Sequence, residues 1–491
     1  MDTNKFEQER NEAWREELRK SVPVKERVAI PRVKMNEVPP CERIKSQNIE
    51  VNKGLTKEEA IQEAKRCMDC PDHPCTSGCP VSINIPKFIK NIERQHFAEA
   101  IKTLKEYSAL PAVCGRVCPQ EKQCEAKCTY HKMKKEPVAI GYLERFAADN
   151  ERESGNIQIP EVAPSNGIKV GAIGSGPSSL SFAGDMVKLG YDVTVFEALH
   201  EIGGVLKYGI PEFRLPNSIV DTELDNLAQM GVKFEKNFVV GKTATFEDLK
   251  KDGFKAFYVG SGAGLPNFMS IPGENLNGVL SSNEYLTRVN LMGANQENSD
   301  TPVLKGKVVA VVGGGNTAMD SVRTAKRLGA ERAIIIYRRS KDEMPARLEE
   351  VKHAEEEGVE FMTLHNPIEY LPDENGRVAK VRLQKMELGE PDASGRRSPV
   401  PIKDAIIELD IDIAIVAIGV SPNPLIPGLL EGVKLGRKGT IVVNDETMQS
   451  DLPEFFAGGD IVRGGATVIL AMGDGRKAAA NMHEYLQKMN K

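Results

Sequence analysis

The spacing of hydrophobic positions changes near residue 160, and this change divides the chain into two parts. Before it, apolar residues recur every three or four positions, as in "IPKFIKNIERQHFAEAIKTLKEYSALP", which is typical of amphipathic helices. The segment "TKEEAIQEAKRCMDC" predicts a helix with Thr56 as N-cap and Glu59 at the capping-box position, leading into Cys67 and Cys70. No stretch here has a convincing strand pattern, so residues 1–160 are predicted to form a helical domain.

After "IQIPEVAPSNG", which predicts a linker, short apolar runs alternate with glycine turns and helical patterns. The segments "KVGAIGSGPSSLSFAGDMVKLGYDVTVFEA" and "KVVAVVGGGNTAMDSVRTAKRLGAERAIIIYRR" share the order strand, glycine turn, helix, strand. The fold class predicted is therefore α/β, with two Rossmann-like dinucleotide-binding domains after the helical one. "MELGEPDASGRRSPVPIKD" predicts a hairpin with a polar loop.

The first glycine turn has Gly174, Gly176 and Ser179 at the three fingerprint positions. The first glycine permits a tight turn, and the second lets the backbone approach a pyrophosphate at a helix N-terminus. Ser179 departs slightly from the usual glycine or alanine. Glu197 ends the next strand, where an acid accepts the ribose hydroxyls of an adenosine. The turn thus predicts a nucleotide with a free ribose; an ordinary glycine-rich turn is the alternative.

The second glycine turn has Gly313 and Gly315 in the same places, but its following strand ends in Arg338 and Arg339. A carboxylate there would repel a 2′-phosphate, whereas guanidinium groups bind one bidentately. The second site is therefore predicted to prefer NADP(H), and a solvated strand edge is the alternative. The candidate NADPH-binding residues are Gly313, Gly315, Asn316, Thr317, Arg338 and Arg339.

Two nucleotide sites in one chain favour FAD in the first and a nicotinamide in the second. The distal "EFFAGGDIVRGGATVILAMGDGRKAA" resembles the C-terminal FAD signature of two-dinucleotide-fold flavoproteins, which implies that Asp460 contacts the FAD. The FAD domain is predicted at 167–290 and 421–491, with the NADP(H) domain inserted at 291–420. Candidate FAD-binding residues are Gly174, Gly176, Ser179, Glu197, Gly204, Leu206, Gly459, Asp460 and Thr467. Hydride transfer needs no acid or base, so no catalytic side chain is expected.

Composition narrows the possible functions. The 491 residues are 40% apolar and 27% charged with a net charge of −5, ordinary values for a globular protein and without a basic footprint for nucleic acid or anionic membrane. No apolar run is long enough to span a membrane, and the charged N-terminus does not fit a signal peptide. The expected compartment is the cytoplasm, where structural disulfides are rare.

The cysteines are confined to the predicted helical domain, because none of the nine follows Cys128. "CMDCPDHPCTSGCP" and "VCGRVCPQEKQCEAKC" are compatible with zinc, disulfides or iron–sulfur clusters. Only Cys67 and Cys70 have the paired spacing that zinc prefers, and a proline follows Cys79 and Cys118 as in ferredoxin motifs. Since the compartment disfavours disulfides, we expect iron–sulfur clusters as the route by which electrons leave the flavin.

Eight motifs in order give a family resemblance that covers nearly the whole chain. They are the two cysteine groups, "GYLERFA", "GSGPSSL", "EIGGVLKYGIPEFRLP", "GGGNTAMD", "YRRSKDEMPA" and "FAGGDIVRGGATVILAMGDGRKAA". Together they resemble the small (β) subunit of NADPH-dependent glutamate synthase. The same module occurs in the large subunit of NADH-dependent ferredoxin:NADP oxidoreductase and in the N-terminal part of dihydropyrimidine dehydrogenase.

The resemblance implies two [4Fe–4S] clusters whose ligands cross between the cysteine groups. One set is Cys67, Cys70, Cys75 and Cys128, and the other is Cys79, Cys118, Cys124 and Glu144. Cys41 and Cys114 are left as ordinary thiols.

The resemblance also implies a partner, a larger FMN-containing subunit that makes glutamate from glutamine and 2-oxoglutarate. The alternative partner is a second flavoprotein or ferredoxin, as in a bifurcating oxidoreductase. A non-redox zinc-binding module is the alternative of another class.

Overall fold

The computed structural model describes residues 3–393 and 395–489. Their secondary structure follows the predicted change from helices alone to alternating strands and helices. The α-helices are α1 (Thr3–Arg10), α2 (Ala13–Ser21), α3 (Val24–Ala29), α4 (Pro40–Arg43), α5 (Lys57–Lys65), α6 (Pro74–Ser77), α7 (Ile85–Glu93), α8 (Phe97–Tyr107), α9 (Pro111–Val117), α10 (Ile140–Ser154), α11 (Pro177–Lys188), α12 (Val205–Tyr208), α13 (Asn217–Gln229), α14 (Phe246–Lys251), α15 (Ser282–Asn290), α16 (Asn316–Arg327), α17 (Leu348–Glu356), α18 (Asp460–Arg463) and α19 (Val468–Met489). The strands are β1 (Asn36–Glu37), β2 (Asn52–Gly54), β3 (Lys169–Ile173), β4 (Asp192–Phe196), β5 (Lys233–Glu235), β6 (Phe254–Val259), β7 (Leu265–Pro266), β8 (Val279–Ser281), β9 (Val308–Val312), β10 (Arg332–Tyr337), β11 (Glu360–Thr363), β12 (His365–Pro372), β13 (Val378–Pro391), β14 (Arg397–Asp410), β15 (Ile413–Val416), β16 (Val420–Ser421) and β17 (Phe455–Ala457).

The N-terminal part is helical, as predicted. The capping box of α5 is confirmed, since the Glu59 backbone N–H donates to Thr56 Oγ1 at 3.2 Å and the Thr56 N–H donates to Glu59 Oε2 at 2.8 Å. The expectation that this part lacks strands needs one correction. Strands β1 and β2 form a two-stranded antiparallel ladder, too short to leave a periodic pattern in the sequence.

Two parallel five-stranded sheets follow, with the orders β17-β6-β3-β4-β5 and β11-β10-β9-β15-β8. Their central strands are continuous apolar runs, as expected of parallel sheets that are covered by helices on both faces. The antiparallel pair β7 and β16 connects the two units, and the predicted hairpin is confirmed as β13 and β14. The boundary predicted at residue 291, between the FAD and NADP(H) domains, stays a prediction. Strand β8 (Val279–Ser281), which precedes it in the sequence, pairs with β15 in the second sheet.

The helical part and the first sheet share one hydrophobic core. Leu104 and Val113 belong to the same buried cluster as Leu180 of α11 and Met472 of α19. The second sheet has separate cores on its two faces. Because packed cores do not deform continuously, the cysteine-bearing helices are held at a fixed position against the first nucleotide-binding unit.

Buried ion pairs connect the second unit to the rest of the chain. Arg214, which precedes α13, lies 2.7 Å from Asp320 of α16, and Arg43 of α4 lies 2.9 Å from Glu357. Arg323 of α16 also contacts Glu357, at 2.8 Å. Among the residues that the structure describes, no helix is long and apolar enough to cross a membrane.

Candidate nucleotide and iron–sulfur sites

The first glycine turn lies between β3 and α11, with an open surface at its second glycine. Gly174 has φ +90°, and a Cβ there would come within 2.7 Å of the Gly260 carbonyl oxygen, so a side chain is excluded. A Cβ on Gly176 would meet nothing within 4 Å. This combination fits a turn whose backbone a phosphate approaches at the start of a helix.

The surroundings of Ser179 explain why a small residue other than glycine or alanine occupies the third fingerprint position. A Cβ on Gly260, at the end of β6, would meet Ser179 Oγ at 2.2 Å, so the two backbones approach closely. The Ser179 hydroxyl is fully buried and has no hydrogen-bond partner among the described residues. The position therefore serves helix–strand packing, which only a small residue permits.

Glu197 is bonded to the turn that it was predicted to complement. Its Oε2 accepts the Ser175 backbone N–H at 2.9 Å, and its Oε1 accepts the Leu199 N–H at 2.8 Å. The Ser175 hydroxyl also donates to Oε2, at 2.5 Å, so the carboxylate is fixed beside the glycine turn, and Oε1 is the oxygen that keeps a second lone pair for a ribose hydroxyl. Its contact with ribose stays a prediction.

The other predicted FAD residues are gathered around the same helix start. A Cβ on Gly204, which has φ +55°, would lie 2.9 Å from Gly176 Cα, so the two glycine backbones touch. Leu206 is fully buried in the core. From the far end of the chain, Gly459 comes within contact of Ser178, where a Cβ would lie 3.1 Å from the serine Cβ.

Asp460 and Thr467 lie just before the terminal helix α19. Asp460 Oδ1 accepts the Ala466 backbone N–H at 2.8 Å, and burial raises the pKa of this carboxyl. Thr467 Oγ1 accepts from the Leu470 N–H at 3.4 Å, which makes it a side-chain cap of α19. Both residues shape the segment predicted to contact FAD, next to a helix N-terminus that favours negative charge.

The second glycine turn repeats this arrangement between β9 and α16. Gly313 has φ +144°, and a Cβ there would lie 2.3 Å from the Ala417 carbonyl oxygen, whereas Gly315 faces open space. Asn316 and Thr317 begin α16; Thr317 is exposed, and Asn316 Oδ1 accepts the Arg347 N–H at 2.8 Å. The turn can receive a second dinucleotide phosphate in the same way.

The two arginines after β10 point in different directions. Arg338 is exposed. Arg339 is 6% exposed, and it donates to Asp392 Oδ2 at 2.6 Å and to the Arg397 carbonyl oxygen at 2.8 Å. Arg339 thus holds the tip of the β13–β14 hairpin while Arg338 faces solvent, and contact of either arginine with a 2′-phosphate stays a prediction.

The cysteines are divided between two neighbouring cavities in the helical part. One cavity brings together Cys67, Cys70, Cys75 and Cys128. The other brings together Cys79, Cys118, Cys124 and Glu144, with Gln120 and Gln123. Ile85 and Ile140 line both, so the cavities share a wall. The groups that the family resemblance implied as two ligand sets are therefore adjacent in space.

The chemistry of these cavities fits metal ligation. Burial raises the pKa of the Cys67 and Cys79 thiols to about 12, so a thiolate there needs a metal cation to be stable. Burial also raises the pKa of Glu144 to about 8, and the nearby Glu223 adds to the shift. Glu144 Oε1 has no hydrogen-bond partner in residues 3–393 and 395–489. A buried carboxylate oxygen without a partner, in one cavity with three thiols, fits a metal ligand whose ion would satisfy it.

The leftover cysteines lie outside both cavities. Cys114 is fully buried, with its Sγ 3.5 Å from Met472 Sδ, and Cys41 is exposed on the surface. His131 Nε2 is 3.1 Å from the Glu125 carbonyl oxygen, a local hydrogen bond. His73 packs edge-on against Phe6, with ring centroids 5.2 Å apart.

Sequence reasoning missed three residues that the fold brings to these sites. Gln120 and Gln123 line the Glu144 cavity, and Gln123 Nε2 donates to Thr467 Oγ1 at 3.4 Å. Arg347 donates to Gln120 Oε1 at 2.8 Å. The two glutamines lie inside the cysteine motif "CPQEKQC", which was the available signal, whereas Arg347 lies far away in the sequence.

Comparison with known proteins agrees with this division. Residues 43–156 match the family described as dihydropyrimidine dehydrogenase domain II, 4Fe-4S cluster, and residues 168–475 match pyridine nucleotide-disulphide oxidoreductase. Among solved structures, FprA of Mycobacterium tuberculosis in complex with NADPH has a TM-score of 0.57 at 19% identity, over 67% of this chain and 86% of that one. At that identity the likeness shows the fold alone.

Curated relatives are more similar. The glutamate synthase [NADPH] small chain of Azospirillum brasilense is 36% identical over 441 residues, 89% of this chain and 91% of the relative. The Escherichia coli small chain is 34% identical, over 90% of this chain and 95% of the relative. The NADP(+)-dependent formate dehydrogenase subunit beta of Moorella thermoacetica is 37% identical, over 84% of this chain and 60% of the relative.

Two nucleotide-binding sheets joined to a cysteine-lined helical domain define an oxidoreductase that uses FAD, a pyridine nucleotide and 4Fe–4S clusters. Within this class, the chain belongs to the family of the glutamate synthase small chains. The expectations for fold class, family and cofactor classes are confirmed.

Proposed function

We propose that this chain is the NADPH-oxidising electron-transfer subunit of a glutamate synthase, and that its partner is the larger subunit that makes glutamate from glutamine and 2-oxoglutarate. Several small chains of that enzyme are similar to it over most of its length. Because these relatives are named as a small chain and as a subunit, they imply a larger partner subunit. Which protein that partner is belongs to the proposal.

One observation carries the proposal: the Glu144 cavity borders the segment predicted to contact FAD. Ile469, in the first turn of α19, lines that cavity, and Gln123 connects it to Thr467 just before the helix. When bound, FAD accepts a hydride from NADPH, and the iron–sulfur clusters carry electrons away singly. The chain positions the cavities in series, from the α19 end through the shared wall of Ile85 and Ile140.

The proposed ligand sets follow the two cavities. Cys67, Cys70, Cys75 and Cys128 hold the outer cluster. Cys79, Cys118, Cys124 and Glu144 hold the inner one, the cluster next to α19. The support is the shared lining of each set and the unsatisfied oxygen of Glu144. Zinc suits the inner set poorly, because this set has only three thiols, at irregular spacing, and a carboxylate.

The nucleotide residues are also proposed. Gly174, Gly176, Glu197, Gly204, Asp460 and Thr467 bind FAD, and Ser179, Leu206 and Gly459 support them by packing. Gly313, Gly315, Asn316 and Thr317 bind the NADPH pyrophosphate region, and Arg338 binds its 2′-phosphate. The proposed domains are the helical iron–sulfur domain at 1–160, the FAD domain at 167–290 and 421–491, and the NADP(H) domain at 291–420. The proposed compartment is the cytoplasm, where these thiols stay reduced.

Anaerobic purification and reduction test the proposal. We expect a brown-yellow protein with about eight irons per FAD, bleached by NADPH. Glutamate formation from glutamine and 2-oxoglutarate is expected only after the larger subunit is added. A colourless protein without iron contradicts the electron-transfer function. A protein that bleaches but activates a second flavoprotein or ferredoxin, and not glutamate formation, supports the other partner.

A further inference from the structure

We propose that the loop after Cys128 is the docking surface through which electrons leave this chain, and that it receives an acceptor protein with an acidic face. With Lys127 and Cys128 themselves included, this loop comprises residues 127–136 and is called the lysine loop. The inference rests on the function proposed above, and it assigns the position of the electron exit and the chemistry of the surface that meets it.

The lysine loop lies at the rim of the outer cavity. Its Thr129 and Tyr130 line that cavity, and Thr129 Oγ1 lies 3.3 Å from Cys70 Sγ. Cys70, Cys75 and Cys128 of the outer cavity are partly exposed, whereas in the inner cavity Cys79 is partly exposed and Cys118 and Cys124 are buried. The lysine loop is therefore a part of the surface where an acceptor can approach the outer site closely.

The charge of the loop is opposite to that of the whole chain. It carries four lysines, Lys127, Lys132, Lys134 and Lys135, and one acid, Glu136, in a protein whose net charge is −5. All of these residues are exposed. The side chains of Lys132, Lys134 and Lys135 form no ion pair with another described residue, so their field is directed to solvent.

Acidic side chains on the neighbouring cysteine loop do not cancel this charge. Asp69 is fully buried and forms ion pairs with Arg15 and Arg19, so its charge is compensated internally. Asp72 is exposed, which leaves four lysines against two acids around the rim. A local positive field of this kind steers an acidic partner and orients it during encounter.

The loop is held in one conformation. Lys134 has φ +54°, a region that a lysine occupies only at a cost, and the Lys135 N–H donates to the Tyr130 carbonyl oxygen at 3.1 Å. Arg66, which is 2% exposed, donates to the Glu136 carbonyl oxygen at 2.7 Å and packs over the Tyr130 ring. A preorganised surface loses less entropy on binding than a mobile tail.

The centre of the loop offers an apolar contact. Met133 lies between the lysines and is 38% exposed. Methionine is adaptable and enriched at protein interfaces, where an apolar centre lies within a polar rim. The arrangement of one exposed methionine among lysines at a redox cavity fits a transient electron-transfer contact.

The test compares two haem proteins of opposite charge as electron acceptors. The triple variant Lys132→Glu, Lys134→Glu and Lys135→Glu is prepared as the anaerobic holoprotein and reduced by NADPH. We expect its second-order rate with acidic cytochrome b5 to fall at least tenfold at low salt, and its rate with basic cytochrome c to rise. The wild-type rate with cytochrome b5 is expected to fall as salt is added, because charge screening removes the steering.

The matched control reverses three exposed lysines in the nucleotide-binding units: Lys242→Glu, Lys255→Glu and Lys305→Glu. This control changes the net charge by the same amount as the lysine-loop variant. Its rates with cytochrome b5 and cytochrome c are expected to stay within twofold of the wild-type rates. Equal rates for the wild type and the lysine-loop variant overturn the inference, and so does an equal loss in the control. If NADPH fails to bleach the wild-type protein, the proposed electron-transfer function itself fails, which is a separate outcome.

Discussion

Arg339 donates from Nη2 to Asp392 Oδ2 at 2.6 Å, and this bond fixes the tip of the β13–β14 hairpin against the end of β10. The arginine is 6% exposed, and its Nε also donates to the Arg397 carbonyl oxygen at 2.8 Å. Arg338, its neighbour in the sequence, is exposed. The two arginines therefore differ in their surroundings: Arg339 contacts the hairpin, and Arg338 faces solvent, where we propose that the 2′-phosphate of NADPH binds.

Replacing Arg338 by Ala is expected to raise KM for NADPH about 10- to 100-fold and to leave KM for NADH unchanged. The reason is the loss of a charge-assisted bond to the 2′-phosphate, worth about 1.5–3 kcal/mol. Steady-state reduction of an artificial acceptor with each nucleotide measures both values. Arg339→Ala is the matched comparison, and we expect it to lower stability and change the two KM values equally. A selective NADPH defect in Arg339→Ala alone would contradict this assignment.

Replacing Glu144 by Ala is expected to remove the inner cluster and to spare flavin reduction by NADPH. Glu144 is buried with one unsatisfied oxygen beside three thiols, so its loss leaves that set one ligand short. Iron analysis should show about four irons lost per chain, since each cluster holds four, and EPR should show one cluster signal instead of two. Glu153→Ala, on the exposed face of the same helix, is the control. Unchanged iron content and unchanged EPR spectra would remove Glu144 from the ligand set.

Local signals made much of this architecture predictable. The glycine turns at Gly174 and Gly313 need backbone conformations that other residues avoid, so they mark strand–turn–helix units in the sequence. The capping box at Thr56 marks a helix start for the same reason, because it depends on residues three apart. The ligand sets were available only through the family resemblance, since spacing does not tell which cysteines share a cavity.

Long-range contacts could not be predicted. Arg339 turns toward the hairpin because Asp392, in the loop after β13, is far away in the sequence, and no pattern around either residue indicates the pair. Strand Val279–Ser281 joins the second sheet through three backbone pairings, which are too few to give a periodic signal. Arg347 contacts Gln120 only because α17 packs against the helical domain, which depends on how the units assemble.

Replacing Arg347 by Ala is expected to disturb both the inner cluster and NADPH binding. Its backbone N–H donates to Asn316 Oδ1 in the second glycine turn, while its side chain donates to Gln120 Oε1 and to the Arg116 carbonyl oxygen. Without the guanidinium, two buried acceptors lose their donors, at about 1–3 kcal/mol each. Ala keeps the backbone N–H but loses the side-chain bonds that hold this residue beside Asn316, so we expect a changed EPR spectrum of the inner cluster together with a raised KM for NADPH.

Arg347→Lys separates the two contributions of this residue. Lysine keeps the charge but loses the planar fork that reaches two acceptors at once, so we expect partial recovery of stability without recovery of the EPR spectrum. A variant that is less stable but has wild-type EPR spectra and wild-type KM would reduce Arg347 to a packing contact.

Replacing Arg214 by Met is expected to lower the free energy of unfolding by about 3–5 kcal/mol, because it leaves the Asp320 carboxylate buried without its partner. Arg214 and Asp320 lie 2.7 Å apart with side chains 6% and 5% exposed. Burial raises the pKa of Asp320 to about 6 even with the arginine present, so the carboxylate depends on it strongly. Urea midpoints of the anaerobic holoprotein measure the change.

The double variant Arg214→Met, Asp320→Leu tests the cause of that loss. Removing both charges abolishes the uncompensated Asp320 carboxylate, and Glu350, which lies 3.1 Å from Arg214, keeps its ion pair with Arg323, so we expect most of the stability to return, as for other buried pairs replaced by apolar residues. Lys233→Met, which breaks the exposed pair with Asp192, is the control and should cost less than about 1 kcal/mol. If the double variant is as unstable as Arg214→Met, the loss comes from packing at the junction of the two nucleotide-binding units and not from the buried charge.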